Sequence, residues 1–135
     1  MPKLSLVLVV AGDGLTRRAT AAGLQMYDFE VLTARDGDEA ANLLREHGRR
    51  MSVVVTDADI RSGAVDGLEV ARLARSLNPR MSVIYTARAP HTIPARRMVS
   101  GAPVLRTPYF SQQIVGIISN LRQGPGAPRE IHAAA

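Results

Sequence analysis

The chain lacks cysteine altogether, and it is poor in aromatic residues and in long apolar runs. Its 135 residues include no cysteine and no tryptophan, and aromatic residues make up only 4%. Without cysteine there is no disulfide scaffold, no thiolate zinc site and no cysteine nucleophile. No apolar stretch approaches the roughly 20 residues of a membrane-spanning helix, and the short apolar run at the start has no signal-peptide cleavage site. We therefore expect a cytoplasmic domain without a membrane partner.

Positive charge exceeds negative charge, with 17 Lys and Arg against 12 Asp and Glu and a formal net charge of +5. Such a surplus favours acidic partners in general. A groove for single-stranded nucleic acid also needs aromatic stacking platforms beside its cations, and this chain has few aromatic residues. The arginine pairs Arg17-Arg18, Arg49-Arg50 and Arg96-Arg97 are spread over different segments. We therefore expect solvated helix faces and no nucleic-acid partner.

The hydrophobic pattern alternates between short runs of strand type and longer helical periods. The strand-type runs are residues 4–10, 29–34, 51–56, 81–86 and 104–106. The first is almost continuously apolar, which indicates a strand buried on both faces. The second alternates most clearly, which suits the edge of a sheet. Strands separated by helices predict a parallel sheet with right-handed crossovers and helices on both faces.

Helical periods fill the spaces between these runs. Apolar residues recur at spacings of four, three and four in the first helix, which Asp13 is predicted to cap: Leu15, Ala19, Ala22 and Met26. Capping-box spacings predict helices at 36–47 and 66–77, and an apolar period predicts a last helix near 114–121. Pro90 and Pro94 limit any helix between the last two strands to a short one after Pro94.

The length fits one domain, residues 1–122, which is large enough to bury a core without staples. Residues 123–135 have little to bury and are expected to form a disordered tail. In an open α/β sheet of this kind, ligands bind beyond the carboxyl ends of the strands. The residues found there are Ala11-Gly12-Asp13, Asp57, Thr86-Ala87 and Thr107-Pro108-Tyr109.

In order and spacing these segments resemble those of response-regulator receiver domains, from residue 4 to about residue 122. The segments that carry the resemblance are the apolar first strand, Val53-Val54-Val55-Thr56-Asp57, Asp66-Gly67-Leu68-Glu69, Thr86-Ala87, Gly101-Ala102 and Thr107-Pro108-Tyr109. The resemblance implies a flavodoxin-like, doubly wound α/β fold with a five-stranded parallel sheet in the order 2-1-3-4-5. It also implies a signalling domain of two-component phosphorelays, not an enzyme. Its partners would be signalling proteins such as a histidine kinase or a downstream regulator, with a homodimer as a further option.

The resemblance assigns roles to individual residues. Asp57 matches the phosphoacceptor, and Thr86 matches the switch hydroxyl that hydrogen-bonds the new phosphoryl group. Ala87 matches the small residue that leaves this group room. Thr107-Pro108 matches a dipeptide whose peptide bond is typically cis, and X-Pro bonds are where the cis form costs least.

Several positions depart from the family pattern. Ala11 and Gly12 stand where the family has the two adjacent acidic residues that hold magnesium. Thr107 stands where it has a lysine, and Val104 where it has an aromatic switch residue. Arg61 replaces the proline usually found four residues after the phosphoacceptor.

These departures remove charges that the family's reaction depends on. Magnesium usually needs at least one or two carboxylate ligands, and Asp13 comes one residue too late and is expected to point away. We therefore expect magnesium binding to be weak or absent, with no other cofactor. Phosphoryl transfer is mostly positioning and charge neutralisation, and losing a single donor of this kind costs roughly 3–4 kcal/mol. Arg106, Arg88 and Arg61 are the candidate substitute cations.

The leading hypothesis is a stand-alone, degenerate receiver that binds other proteins, with phosphorylation of Asp57 impaired or absent. Its partner surface would be the first helix with Arg17-Arg18, or the face formed by the last two strands and the last helix. Asp57 as a structural relic bonded to loop amides remains open, and Asp59 is expected to face solvent or to approach the pocket mouth.

Two other hypotheses remain. One is a working phospho-receiver that takes a phosphoryl group on Asp57 from a histidine kinase, and the other is a basic small-ligand or nucleic-acid sensor. An independent enzyme is least expected, because no nucleophile–base pair is found. The three histidines are too dispersed for a metal site or a triad: His47, His91 and His132.

Overall fold

The computed structural model describes residues 5–61 and 63–122 of the chain. The predicted tail at 123–135 lies outside the described residues. Five strands form the sheet: β1 Leu6–Val10, β2 Glu30–Ala34, β3 Met51–Asp57, β4 Ser82–Ala87 and β5 Val104–Arg106. The α-helices in the described residues are α1 Gly14–Met26, α2 Gly37–His47, α3 Gly67–Leu77 and α4 Ser111–Arg122.

The sheet has the predicted topology. All neighbouring strands pair in parallel, and the strand order is β2-β1-β3-β4-β5. This is the flavodoxin-like, doubly wound arrangement, with the alternating strand β2 at an edge. Because the order reverses between β1 and β3, the carboxyl ends of these two strands form the crevice where such sheets bind ligands.

Two hydrophobic clusters cover the two faces of the sheet. Leu6, Leu8 and Val10 of β1 belong to the cluster that packs against α2 and α3. Val7 and Val9 belong to the opposite cluster, which packs against α1 and α4. Side chains of a strand point alternately to the two faces, so β1 is apolar throughout because both faces are covered.

The helices begin at side-chain caps. The Asp13 side chain accepts from the Thr16 amide at the start of α1, and Asp66 forms the predicted capping box at the start of α3. At α2 the box forms on one side only. Asp36 accepts from the Glu39 amide at 2.8 Å, whereas the Glu39 carboxylate accepts from the Arg35 amide at 2.8 Å, one residue before the cap.

The apolar period of α1 correctly predicts the helix, but its four residues lie on the outer face. The fully buried residues of α1 are Thr20 and Leu24, and Leu24 packs into the cluster beneath the helix. Leu15 is 73% exposed and Met26 is 83% exposed. Their helix partners Ala19 and Ala22 are exposed as well. We call Leu15, Ala19, Ala22 and Met26 the outer stripe.

The connection from β4 to β5, residues 88–103, contains no α-helix. Two 3-10 turns take its place, Pro90–Thr92 and Ala95–Arg97. The second is the short helical turn predicted after Pro94, and the first was not predicted. The proline ring cannot supply the amide that a helix interior needs, which explains the break. We call this segment the fourth crossover.

Contacts from α3 and β4 hold the fourth crossover against the rest of the domain. The hydroxyl of Tyr85, which is fully buried, accepts from the Val99 amide at 2.9 Å. Arg75 donates to the Ser100 carbonyl at 2.9 Å. Arg97 donates from one nitrogen to both carboxylate oxygens of Asp66, at 3.2 and 3.0 Å. The segment is therefore fixed at several points without a helix of its own.

No helix within residues 5–61 and 63–122 has the length and apolar character needed to cross a bilayer.

Candidate functional site

Asp57 is the last residue of β3, and it lies beside Thr86 at the carboxyl edge of the sheet. The two residues are register partners in the β3–β4 ladder, and Thr86 is buried. The backbone of Gly67 approaches the Asp57 carbonyl so closely that a side chain at position 67 would overlap it. The parallel register therefore brings together the two residues that the resemblance assigns to phosphoryl binding.

The Asp57 carboxylate is half-buried and accepts backbone hydrogen bonds. Its Oδ1 accepts from the Asp59 amide at 2.8 Å. Burial raises the pKa of the Asp57 carboxyl, and the negative charge of Asp59 adds to the rise. The amides of Asp59 and Gly12 and the positive charge of Arg88 act in the opposite direction without cancelling it. The surroundings of Asp57 therefore favour the protonated form of its carboxyl group more than water would.

Asp59 and Arg88 form a pair at the mouth of this crevice. Asp59 Oδ2 accepts from the Arg88 amide at 3.0 Å, and it lies 3.5 Å from Arg88 Nε. Asp59 is therefore held beside Asp57, not directed freely into solvent. Of the two expectations for Asp59, the structure shows the approach to the pocket mouth, where the Arg88 amide and guanidinium hold its carboxylate.

The residues after β1 lack the donors that a magnesium site needs. Ala11 is buried and Gly12 has no side chain. Asp13 is engaged as the cap of α1, with its Oδ2 accepting from the Thr16 amide at 2.8 Å and the Thr16 hydroxyl at 2.6 Å. In addition, Arg17 Nη1 donates to the Ala11 carbonyl at 2.8 Å, which places a guanidinium beside the backbone at the end of β1.

The family's magnesium ion does not fit these residues. One carboxylate at Asp57, a second one paired with Arg88 and an arginine beside Ala11 are a poor donor set for a hard cation. Residues 5–61 and 63–122 contain no group of three or more His, Cys, Asp or Glu that could hold a metal ion.

The fifth strand brings Thr107 to the same edge. The Thr107 amide donates to the Ala87 carbonyl at 3.0 Å, and the Thr107–Pro108 peptide bond is cis, as the resemblance implies. The Tyr109 hydroxyl that follows lies 2.9 Å from the Thr20 hydroxyl of α1. Burial raises the pKa of Tyr109, and the charge of Asp57 contributes to the rise.

The candidate substitute cations differ in what they contact. Arg88 is the one whose charge acts on Asp57, but it is paired with Asp59. Arg106 reaches the Arg88 carbonyl at 3.4 Å, and Arg61 lines an adjoining cleft of about 330 Å³ that extends from Asp59 toward the fourth crossover. No lysine or arginine nitrogen of the described residues forms an ion pair within 4.0 Å of the Asp57 carboxylate.

Sequence reasoning missed two residues of this edge. Arg17 was considered only as part of a basic surface pair, yet it contacts the backbone of Ala11. Tyr109 was noted only as a residue of the Thr107-Pro108-Tyr109 segment, yet its hydroxyl joins α1 to the loop after β5. The position of Arg17 six residues after Ala11, at the first turn of α1, is the signal that could have predicted its contact.

Solved structures of receiver domains match this chain. A response regulator receiver protein from Sinorhizobium medicae WSM419 is 25% identical, with a TM-score of 0.78 over 89% of this chain and 95% of the other. A receiver domain protein from Clostridium thermocellum is also 25% identical, with a TM-score of 0.74 over 89% and 97%. The receiver domain of the hybrid histidine kinase CckA is 20% identical, with a TM-score of 0.68 over 84% and 95%. No protein-family model and no curated protein sequence matches the chain.

The sheet order, the strand-end residues and these structural matches agree. The chain has the fold of response-regulator receiver domains, and it is similar to two of them at 25% identity.

Proposed function

We propose that this receiver is degenerate, and that it acts by binding signalling proteins while phosphorylation of Asp57 is impaired or absent. The observation that carries the proposal is the charge arrangement around Asp57. Ala11 and Gly12 replace the family's acidic pair, and Thr107 replaces its lysine. The Arg88 cation is paired with Asp59. The proposal includes no bound magnesium or other cofactor.

The chemistry of the transfer supports this reading. Moving a phosphoryl group to a carboxylate brings several negative oxygens together, and the protein accelerates the step mainly by positioning and by neutralising charge. The charged side chains that act on Asp57 are Asp59 and Arg88, and these two form an ion pair with each other. The backbone amides of Asp59 and Gly12 then remain as the donors closest to the carboxylate.

The partners we propose are other proteins of two-component pathways, such as a histidine kinase or a downstream regulator. Support comes from the receiver fold and from similarity to a receiver that is part of a hybrid histidine kinase. Three of the 17 basic residues bond within the domain: Arg17 and Arg75 donate to backbone carbonyls, and Arg97 donates to the Asp66 carboxylate. This internal use makes a nucleic-acid surface a weaker alternative.

A working phospho-receiver is the second candidate, and one observation favours it. Asp57 and Thr86 are still register partners at the carboxyl edge of the sheet. In this alternative the same aspartate accepts a phosphoryl group from a histidine kinase despite the missing charges.

One experiment separates the two candidates. The protein is incubated with magnesium and a small-molecule phosphodonor, and the intact mass is followed with time beside the Asp57→Asn variant. The proposal expects no stoichiometric phosphate adduct on the wild-type chain. A stoichiometric adduct that disappears in the Asp57→Asn variant would establish the working receiver and refute the degenerate one.

A further inference from the structure

The outer stripe of α1 is an apolar surface that the domain itself does not cover. It runs along the helix from Leu15, which is 73% exposed, to Met26, which is 83% exposed. Beside its first turn lies Phe110, 75% exposed, across a groove of about 350 Å³ that Leu15 and Ala19 also line. Exposed large apolar side chains that lie together on one surface mark a contact site for another molecule.

The spacing of the stripe is that of a helix-pairing seam. Its steps of four, three and four residues alternate between four and three, as do the contact positions of helices that pack along their length. The two large residues are at the ends and the two alanines are in the middle. Small central residues let two helix axes approach closely, within the 8–10 Å typical of packed helices.

The stripe is complementary to itself when two copies of α1 run antiparallel. With the two-fold axis between Ala19 and Ala22, Ala19 of each copy lies opposite Ala22 of the other copy. The same register sets Leu15 opposite Met26 of the second copy, because both pairs are symmetric about the same point. The unbranched Met26 side chain then enters the groove between Leu15 and Phe110, and methionine adapts readily to such irregular gaps.

Charge supports the same register. Arg18 is exposed, and its guanidinium folds back to the level of Gly14. In the antiparallel register Gly14 is level with Tyr27 of the second copy, next to Asp28. Asp28 is exposed and takes part in no ion pair within 4.0 Å among the described residues. Asp28 follows the carboxyl end of α1, where the negative end of the helix dipole disfavours a carboxylate. Arg18 of a second copy would offset this repulsion.

We propose that the receiver forms an antiparallel homodimer through the outer stripe of α1, with Leu15 of each copy against Met26 of the other. The inference goes beyond the proposed function, because it concerns a second copy of the chain and holds whether or not Asp57 is phosphorylated. One helix seam is smaller than the roughly 800 Å² per partner of a standard interface. The dimer is therefore weak, with a dissociation constant on the order of tens of micromolar.

Sedimentation equilibrium over a concentration series into the hundreds of micromolar tests the association. Ala22→Glu places a charge at the centre of the seam, and it should weaken the dimer at least tenfold. Asn42→Glu is the matched control, because it adds the same charge at an exposed position of α2 on the opposite face of the sheet. Circular dichroism shows whether each variant is folded. A wild-type chain that stays monomeric, or a dimer that Ala22→Glu leaves intact, overturns the proposal.

Disulfide trapping tests the register, since the chain has no cysteine of its own. In the proposed dimer, a mixture of Leu15→Cys and Met26→Cys chains forms a covalent heterodimer under mild oxidation. Either variant alone does not, because identical positions are 11 residues out of register, roughly 16 Å along the axis. Self-linking of either single variant would indicate a different pairing and refute this one. Binding of another protein to the outer stripe, without self-association, would also refute the homodimer. None of these outcomes affects the interpretation of the mass experiment on Asp57.

Discussion

Returning the missing charges to the Asp57 crevice is the most direct test of the proposal that Asp57 is not phosphorylated. The variant Ala11→Asp, Gly12→Asp, Thr107→Lys restores the acidic pair and the lysine of the family. Position 12 has room, because the nearest atoms to an added Cβ, the Arg35 carbonyl and an Ile60 carbon, are 4.0 Å away. Position 11 is buried, so a carboxylate there is stable only with a compensating cation.

The expected gain can be scaled from the groups restored. Losing one preorganised charge-stabilising group costs roughly 3–4 kcal/mol of transition-state stabilisation. Since each 1.4 kcal/mol is a factor of ten, restoring one such element raises the rate about 10²–10³-fold. The elements act in one network and do not simply multiply, so this single-element factor is the minimum we expect from the full variant.

The assay is the rate at which the intact mass gains one phosphate, measured with magnesium and a small phosphodonor. The restored variant should react, and its reaction should stop when Asp57→Asn is added to it. Magnesium titration followed by thermal shift should show stabilisation of the restored variant and none of the wild-type chain. A folded restored variant that remains as inert as the wild type would refute the argument from missing charge. A wild-type rate equal to that of the restored variant would refute it equally.

Three further predictions concern stability and use thermal melts. Burial raises the pKa of Asp57, so its ionised form destabilises the fold. The Asp57→Asn variant should therefore have a higher melting temperature than the wild type at neutral pH. This difference in melting temperature should shrink as the pH falls toward 3.8, because the wild-type carboxyl then becomes protonated. Tyr85→Phe leaves the Val99 amide without its acceptor and should cost about 1–3 kcal/mol, whereas an unchanged melting temperature would mean that water replaces the hydroxyl. Gly67→Ala forces a Cβ into the Asp57 carbonyl and should cost about 1–3 kcal/mol, opposite in sign to the usual helix preference for alanine over glycine.

The fold was predictable where the sequence pattern had one physical interpretation. The apolar run of β1 predicts a strand covered on both faces, and the spacing of Asp66 and Glu69 predicts the capping box of α3. The same spacing at Asp36 and Glu39 forms only half of a box. The outer stripe of α1 shows the limit of this reasoning. Its spacing predicts a helix, but the same spacing suits a core face and an external seam. The buried face of α1 instead contains Thr20, whose hydroxyl forms a hydrogen bond with the Tyr109 hydroxyl in the loop after β5.

The site was predictable in its positions and less so in its pairings. The rule that strand ends share one edge brought Asp57 and Thr86 together correctly. The Asp59–Arg88 pair depends on side-chain reach between the loop after β3 and the loop after β4. Sequence spacing does not encode such distances, because two loops far apart in the chain set them.

The Asp66 carboxylate serves two segments at once. Its Oδ1 caps α3 by accepting from the Glu69 amide at 2.8 Å, and both of its oxygens accept from Arg97 of the fourth crossover. Burial acts to raise the pKa of Asp66, but these hydrogen bonds outweigh it and lower the pKa. The first turn of α3 and the fourth crossover should therefore unfold as one cooperative unit, and amide hydrogens in both should exchange at a common rate.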